Sequence, residues 1–443
     1  MNIRTARRVS VSNINTVGTC AKAIDVSMQS HHFLCPSRFP LTVALDAWQK
    51  TAGRLLRLGG ASQGNELTLF VDGDDTFEAM LRAIASARAR VWLESYIFTP
   101  DRIGSAILHA LVAAAARGVE VRLLVDAFGS PAMDQEHAAP LLQAGGKFAA
   151  FNPVTWLTRT VSMLGPLARF KPRHRHRHFK LPWFMRDHRK ILVVDDDVAF
   201  CGGMNVSVDY GSSRHGNGMF RDTHLLLMGP ACRDLAAVFA VSWQHATNER
   251  LAVFPAARER VDGSHVQILG SDRFRRRRGI QKALHQAVTR AQRSIRLTTP
   301  YFVPPPPLLR ALCRAARRGV DVAVLTAGVS DVPIAATAAR HLYGSLLKSG
   351  VAIYEMTGRT LHAKTASIDG IYAHVGSFNL DRWSFERNLE VCAMALDPGF
   401  ATALDGVFER DLALCERITI DRWQQRSIVD VVVGWFAWHV ARL

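Results

Sequence analysis

The sequence predicts an α/β protein made of two copies of one unit, related by a pseudo-twofold axis. Two repeats predict it. "RGVEVRLLVDA" from Arg117 and "RGVDVAVLTAG" from Arg318 match at an offset of 201 residues, and "HRKILVVD" from His188 and "HAKTASID" from His362 share one spacing at an offset of 174. A chain of 443 residues accommodates two such units, each with a sizeable core.

Taken in order, residues 1–40 carry Arg4, Arg7 and Arg8, much Ser, Thr and Asn, and no acidic residue before Asp25, and read as a disordered extension. The first unit is expected over 41–250. It opens with an amphipathic helix from Leu41 to Leu58, where Leu41, Leu45, Trp48, Ala52 and Leu55 recur at helical spacing with Lys50, Arg54 and Arg57 between them; it reads as packed on the domain or, as the basic residues favour, as lying on a membrane surface. "VWLESYIF" reads as a strand, Ile103 to Arg117 as a helix stopped by Gly118, and "VEVRLLVDAFGS" as a second strand. That βαβ unit implies a parallel sheet with helices packed on it. The second unit, 251–425, repeats it with "IRLTTPYFVP", a helix from Pro307 to Arg318, and "RGVDVAVLTAG". The two offsets differ by 27 residues, so the first unit holds that surplus between Gly118 and His188, much of it in the stretch from Trp156 to Met185. An apolar, Trp-rich tail over 426–443 is too short to span a bilayer and carries Asp430; it reads either as an interfacial helix or as a helix packed on the domain.

The net charge of +17 favours a polyanionic partner, nucleic acid or an anionic lipid surface. Only nine of the 55 basic residues are lysines, which makes Lys190 and Lys364 informative. The seven cysteines are scattered and never spaced as CxxC, so neither a disulfide framework nor a zinc site is suggested, and a reducing compartment fits. No stretch reaches the roughly 18 apolar residues of a membrane span, and no apolar secretory signal opens the chain.

In each eight-residue repeat the flanking residues suggest strands, on which His and Lys, two apart, project to one face. Asp195 and Asp369 follow at hairpin turns. Gly202, Gly203 and Asn205 come next in the first copy, Gly376, Ser377 and Asn379 in the second, with seventeen residues from His to Asn in each. Displacement at a phosphodiester needs a nucleophile, a proton donor for the leaving alkoxide, and cations or hydrogen-bond donors on the nonbridging oxygens. Two histidines, two lysines and two asparagines supply all three with no metal and no cofactor. One imidazole attacks phosphorus, the other protonates the departing oxygen, and the roles reverse when an alcohol or water resolves the phosphohistidine.

The doubled His-x-Lys-x4-Asp with its trailing Gly-Gly/Ser-x-Asn resembles the signature of the phospholipase D superfamily. "LESYIF", "RGVEVRLLVDAFGS", "FRDTHLLLMGP", "TPYFVP" and "GSFNLDRWSFERNLEV" extend the resemblance, over about residues 66–420, to the bacterial cardiolipin synthases of the subgroup without N-terminal transmembrane helices. The resemblance implies two α/β/α units sharing one site, and phosphatidyl transfer from phosphatidylglycerol or another phospholipid to a glycerol-bearing phospholipid. It places His188, Lys190, Asp195, His362, Lys364 and Asp369 in the catalytic set, with Asn205 and Asn379 on phosphate. His188 is then the nucleophile and His362 the general acid, and the two aspartates support the motif strands and the pocket's electrostatics rather than touch phosphate. Asp222 and Glu390 occupy the positions of imidazole-orienting carboxylates; which histidine each serves stays open. Arg382 and Ser384 are further pocket residues.

The implied partners are phospholipid substrates and an anionic membrane surface, with the protein peripheral on the cytoplasmic face of the inner membrane. "KPRHRHRHFK", with His174, His176 and His178 among arginines that repel a cation, reads as a basic loop near headgroups, and "RFRRRRG" from Arg273 as a phosphate-facing or solvated run. A hydrolytic phospholipase D and a nucleic-acid phosphodiesterase on the same scaffold are the alternatives. Nucleic acid is disfavoured by the scarcity of aromatics interleaved with the arginines.

Overall fold

The computed structural model describes residues 48, 51, 53, 55, 58–153 and 185–441, apart from 213, 215 and 272–277. The residues expected as a disordered extension, the three-histidine loop and most of the arginine run lie outside these.

The predicted crossover helices form where the local chemistry directs. Asp101 caps the Arg102–Ala116 helix by accepting from the Ile103 and Gly104 amides at 2.9 and 3.0 Å. Ile103, Ile107, Leu111, Ala114 and Ala115 form its buried stripe. Gly118, at φ +87°, then turns the chain back. The counterpart over Pro306–Arg317 starts on proline, whose missing N–H costs nothing there, buries Leu308, Leu312 and Ala315, and is followed by Gly319 at φ +91°. Leu111 and Leu312 are each fully buried, and truncating either to alanine costs about 2–5 kcal/mol.

The first half contributes β1 (Ala61–Phe70), β2 (Arg90–Ser95), β3 (Glu120–Asp126), β4 (Lys147–Phe151), β5 (Lys190–Val194), β6 (Val198–Gly202), β7 (Phe220–Arg221) and β8 (His224–Met228). The second contributes β9 (Ser264–Ser271), β10 (Ser294–Thr298), β11 (Asp321–Ala327), β12 (Ala352–Met356), β13 (Thr360–Leu361), β14 (Thr365–Ile368), β15 (Tyr372–Gly376), β16 (Glu390–Leu396) and β17 (Cys415–Ile418). Fifteen of them form one sheet in the order β4-β3-β2-β5-β6-β8-β1-β9-β16-β15-β14-β10-β11-β12-β17. Read outward from the β1–β9 seam, both halves run in corresponding order, and β17 is an addition to the second. The sheet is mixed: the βαβ strands β2 and β3 pair in parallel as expected, with β4 parallel beyond them, while β5 runs antiparallel to β6, through the expected hairpin, and to β2. Crossover helices enforce parallel pairing only where they occur, and the motif strands are joined by a hairpin instead.

Two core clusters follow the halves. A third is shared by both, where Leu235, Phe239 and Trp243 of the Ala231–Thr247 helix lie in one cluster with Val266, Val391, Leu404 and Val407. Beyond β1–β9, two short parallel pairings cross between the halves. β7 pairs with β13, and Asp187 bridges to Leu389.

Of the expected Leu41–Leu58 helix, Trp48, Thr51, Gly53 and Leu55 are described and helical. Trp48 and Leu55 are buried in the second half's core, with Trp48 stacked on Tyr372 at 5.5 Å. That face is packed on the domain and is not offered to a membrane. The tail forms a 13-residue helix, Ile428–Val440, started by a capping box between Ser427 and Asp430. It buries only Gly434 and Ala437, against the Pro333–Leu347 helix, and leaves most of its apolar side chains exposed. Among the described residues no helix is long and apolar enough to cross a membrane.

Candidate functional site at the junction of the halves

His188 stands just ahead of β5 and His362 between β13 and β14, and both are nearly buried, at 8% and 5% exposed. The cross-half pairings fix their backbones. The His188 amide donates to the Leu389 carbonyl at 2.9 Å, and the His362 amide to the Arg221 carbonyl at 2.8 Å. Glu390 and Asp222 follow those two carbonyl residues, so each carboxylate arrives beside the other half's imidazole. His188 Nδ1 lies 3.0 Å from Glu390 Oε2, and His362 Nδ1 lies 2.7 Å from Asp222 Oδ2. The question the sequence left open therefore has a crossed answer. An ionised carboxylate only accepts, so each Nδ1 carries the proton and each Nε2 holds the lone pair.

The two carboxylates are buttressed differently. Ser384 donates to Glu390 Oε1 at 2.8 Å, and Ser377 to Oε2. Gly203, the counterpart of Ser377, faces Asp222 so closely that a Cβ there would overlap the carboxylate. Aspartate is one methylene shorter than glutamate, and the backbone must come closer to hold it. Burial alone would raise both acids, but His188 and Lys190 hold Glu390 below the usual range, and Lys364 and His362 do the same for Asp222.

Burial pushes both imidazoles down, His362 to about 4 with the Lys364 charge adding to the effect, and His188 in the same direction despite Glu390. Lys190 Nζ turns back to the His188 carbonyl at 2.6 Å, and Lys364 Nζ does likewise to the His362 carbonyl. Lys364 Nζ also stands 2.8 Å from His362 Nδ1, a close approach rather than a donated bond, because that nitrogen's proton faces Asp222. Burial first, and then the Lys364 charge, bring Lys190 down to about 7. The site thus sets two buried lysines beside two buried carboxylates, with burial disfavouring the charged form of each lysine.

Asn205 and Asn379 flank the same junction. Asn205 donates to the Tyr210 hydroxyl at 2.6 Å and accepts from the Ile97 amide at 3.1 Å, so it also braces the chain after β2. Asn379 Oδ1 is buried with no protein partner. Asp195 and Asp369 are elsewhere. They end their strands seven residues from the histidines, roughly 23 Å at strand rise. Asp195 accepts from the Arg88, Ala89 and Arg90 amides, and Asp369 from those of Gln292, Arg293 and Ser294 and from Trp48 Nε1 at 2.9 Å. Both sit at positive φ, 51° and 59°. Their grouping with the catalytic set is corrected accordingly: they tie the motif hairpins to β2 and β10 and contribute nothing to the pocket's immediate electrostatics. Arg382 likewise turns away, to Glu386 at 2.8 Å.

Some neighbours carried no motif signal. Tyr96 meets His188 edge-on at 5.0 Å, with Lys190 Nζ 5.1 Å from its ring, while Tyr210 and Phe220 flank His362. Arg189, the variable residue of the first motif, points to the opposite face and grips the second half through the Ser271 carbonyl at 2.7 Å and the Glu390 carbonyl at 3.3 Å. The equivalent position is Ala363, so no repeat could reveal it. Among the described residues no group of three or more His, Cys, Asp or Glu is placed to hold a metal.

A family model described as "Cardiolipin synthase, PLD-like domain" matches residues 80–224 and 284–412, spans that contain both histidines and both carboxylates. The chain belongs to this family. Within the cardiolipin synthase family, one relative from Clostridium perfringens is 31% identical over 379 residues, covering 83% of this chain and 75% of its own length. Cardiolipin synthase A of Pectobacterium carotovorum is 31% identical over 380 residues, covering 84% and 74%. Among solved structures, a phosphatidylserine synthase of Haemophilus influenzae matches with a TM-score of 0.60 at 12% identity, over 90% of this chain and 97% of that one, a likeness of fold.

Proposed function

We propose that the protein is a phosphatidyltransferase of cardiolipin synthase type, moving a phosphatidyl group from a phospholipid donor such as phosphatidylglycerol to a glycerol-bearing phospholipid. The observation that carries this is the pair of buried histidine–carboxylate dyads, each assembled from both halves, with Lys190 and Lys364 beside them. Membership of the family and relatives bearing that name support the same reading.

In this reading the donor's phosphodiester enters between the dyads, and Lys190, Lys364, Asn205 and Asn379 hold its nonbridging oxygens. His188 Nε2 attacks phosphorus. The bond to the departing glycerol oxygen breaks, and His362, protonated once the anion is in place, gives its Nε2 proton to that oxygen. A second lipid's hydroxyl then returns a proton to His362 and attacks phosphorus, and the P–N bond breaks. Glu390 and Asp222 hold each ring's tautomer and stabilise its charged form. The enzyme works from the membrane surface, on the cytoplasmic face.

Mass spectrometry of lipids after incubation with phosphatidylglycerol vesicles tests the reading, beside His188→Ala and His362→Ala proteins. Cardiolipin from the parent and none from either variant is the expected result. Phosphatidic acid alone would make the enzyme a hydrolase, and no lipid product would overturn the assignment.

A further inference from the structure

The exposed tail helix is not an isolated feature. Ile428, Val429, Val432, Val433 and Phe436, between 49% and 84% exposed, make a continuous outward stripe, with Trp435 at 52% beside it. Burial of such a stripe is worth several kcal/mol to the molecule that covers it. At 13 residues the helix is about 20 Å long, too short for a bilayer's core and suited to lying along its surface.

The helix's inner edge walls a cleft of about 900 Å³. Trp438, Leu342 and Val303 give that cleft an apolar floor, while Arg278 and Lys282 stand exposed on its rim without a carboxylate partner among the described residues. None of the residues lining it is a histidine, lysine or asparagine of the catalytic junction. An apolar floor beneath exposed cations complements an amphiphile with a phosphate head; free phosphate would leave the floor uncovered. The net charge of +17 complements an anionic surface on the scale of the whole molecule.

We propose that the Ile428–Val440 helix and the cleft behind it form a second, noncatalytic lipid site, which docks the enzyme on anionic bilayers. The stripe enters the acyl region at headgroup depth, and one anionic phospholipid seats its phosphate against Arg278 and Lys282 with a chain along Val303, Leu342 and Trp438. The proposal rests on the reading of the enzyme as one that acts on phospholipids.

The test is cosedimentation of the full chain with vesicles of phosphatidylglycerol in phosphatidylcholine, and of phosphatidylcholine alone. Parent protein is compared with Trp435→Ser/Phe436→Ser and with Arg278→Glu/Lys282→Glu, all four positions being exposed. Turnover of a short-chain phosphatidylglycerol below its micellar concentration is followed in parallel. The expected result is anionic vesicle binding weakened roughly thirtyfold by the charge pair, and lost in the helix pair, with turnover of the monomeric lipid kept by both. Unchanged vesicle binding in either variant would overturn the proposal. So would millimolar inorganic phosphate displacing the parent as completely as charge reversal does, or a lipid-free dimer that the helix pair dissociates. Parent protein that binds vesicles yet makes no lipid product would instead overturn the functional reading and leave the docking site standing.

Discussion

His188 takes its carboxylate from Glu390, 202 positions further along the chain and in the other half of the sheet, at 3.0 Å. Asp222 returns the arrangement to His362 at 2.7 Å. Replacing Glu390 by Gln keeps the shape and the Ser384 bond but removes the charge that holds the ring's tautomer. Turnover is expected to fall about 10²- to 10⁴-fold, with the thermal midpoint near the parent's. Steady-state rates and a melting curve on one preparation check both halves of the statement.

Gly203→Ala is expected to be as damaging as a change at Asp222 itself, because the added Cβ occupies the carboxylate's place. A loss of about 100-fold in turnover is expected. Ser377→Gly, at the matching position, removes one hydroxyl donor from Glu390 and costs only about fivefold. Comparable losses at the two positions would contradict the difference in buttressing.

Lys190, held down to about 7 by burial and Lys364, gains a counter-ion when a phosphate ester binds, and its proton affinity rises. Binding at pH 8 is therefore expected to take up protons, and affinity to weaken as pH climbs above 7. Calorimetry in two buffers of different ionisation enthalpy measures the uptake. Lys190→Arg, which is charged throughout, should remove the share due to Lys190 and leave the proton that His362 takes up.

Asp369→Asn is expected to lower stability by about 3 kcal/mol while leaving most of the turnover of the surviving folded protein. The amide turns a donor toward the Gln292 amide or Trp48 Nε1, which need an acceptor. Denaturant unfolding and rates at low temperature separate this from a catalytic loss.

His374 is buried with Nδ1 unpartnered, and burial lowers it to about 4 from an ordinary 6.5. The unfolded chain binds a proton at this ring below pH 6.5 and the folded chain only near pH 4. Its contribution to stability is thus complete above 6.5 and falls by about 3 kcal/mol on acidification to pH 4. His374→Leu should make the acid limb of a stability–pH curve shallower by that amount.

The duplication was legible because the two βαβ units and the two motifs repeat in register. The histidines and lysines that the structure brings together at the junction were legible because both motifs repeat them at one spacing. The antiparallel pairing of each motif strand with the next was legible in the hairpin turns after Val194 and Ile368, whereas its antiparallel pairing with β2 or β10 depends on how the chain returns to the sheet. The far placement of Asp195 and Asp369 was half visible: turn aspartates at strand ends were recognised, but strand rise was not followed through to a distance. Pairing of carboxylate with histidine could not be read, since it depends on which half's backbone reaches across. Tyr96, Tyr210 and Arg189 left no repeated pattern, because their counterparts in the other half differ.

The crossed carboxylates also say something about inheritance. A gene fragment encoding either half alone would carry a histidine whose acid is encoded elsewhere, and a stop codon just before Glu390 would silence a residue two hundred codons upstream. Such a half could regain both dyads only by meeting another copy of itself face to face. Pairing is therefore a precondition of the chemistry, and joining the two copies in one reading frame secures it at any concentration of the protein.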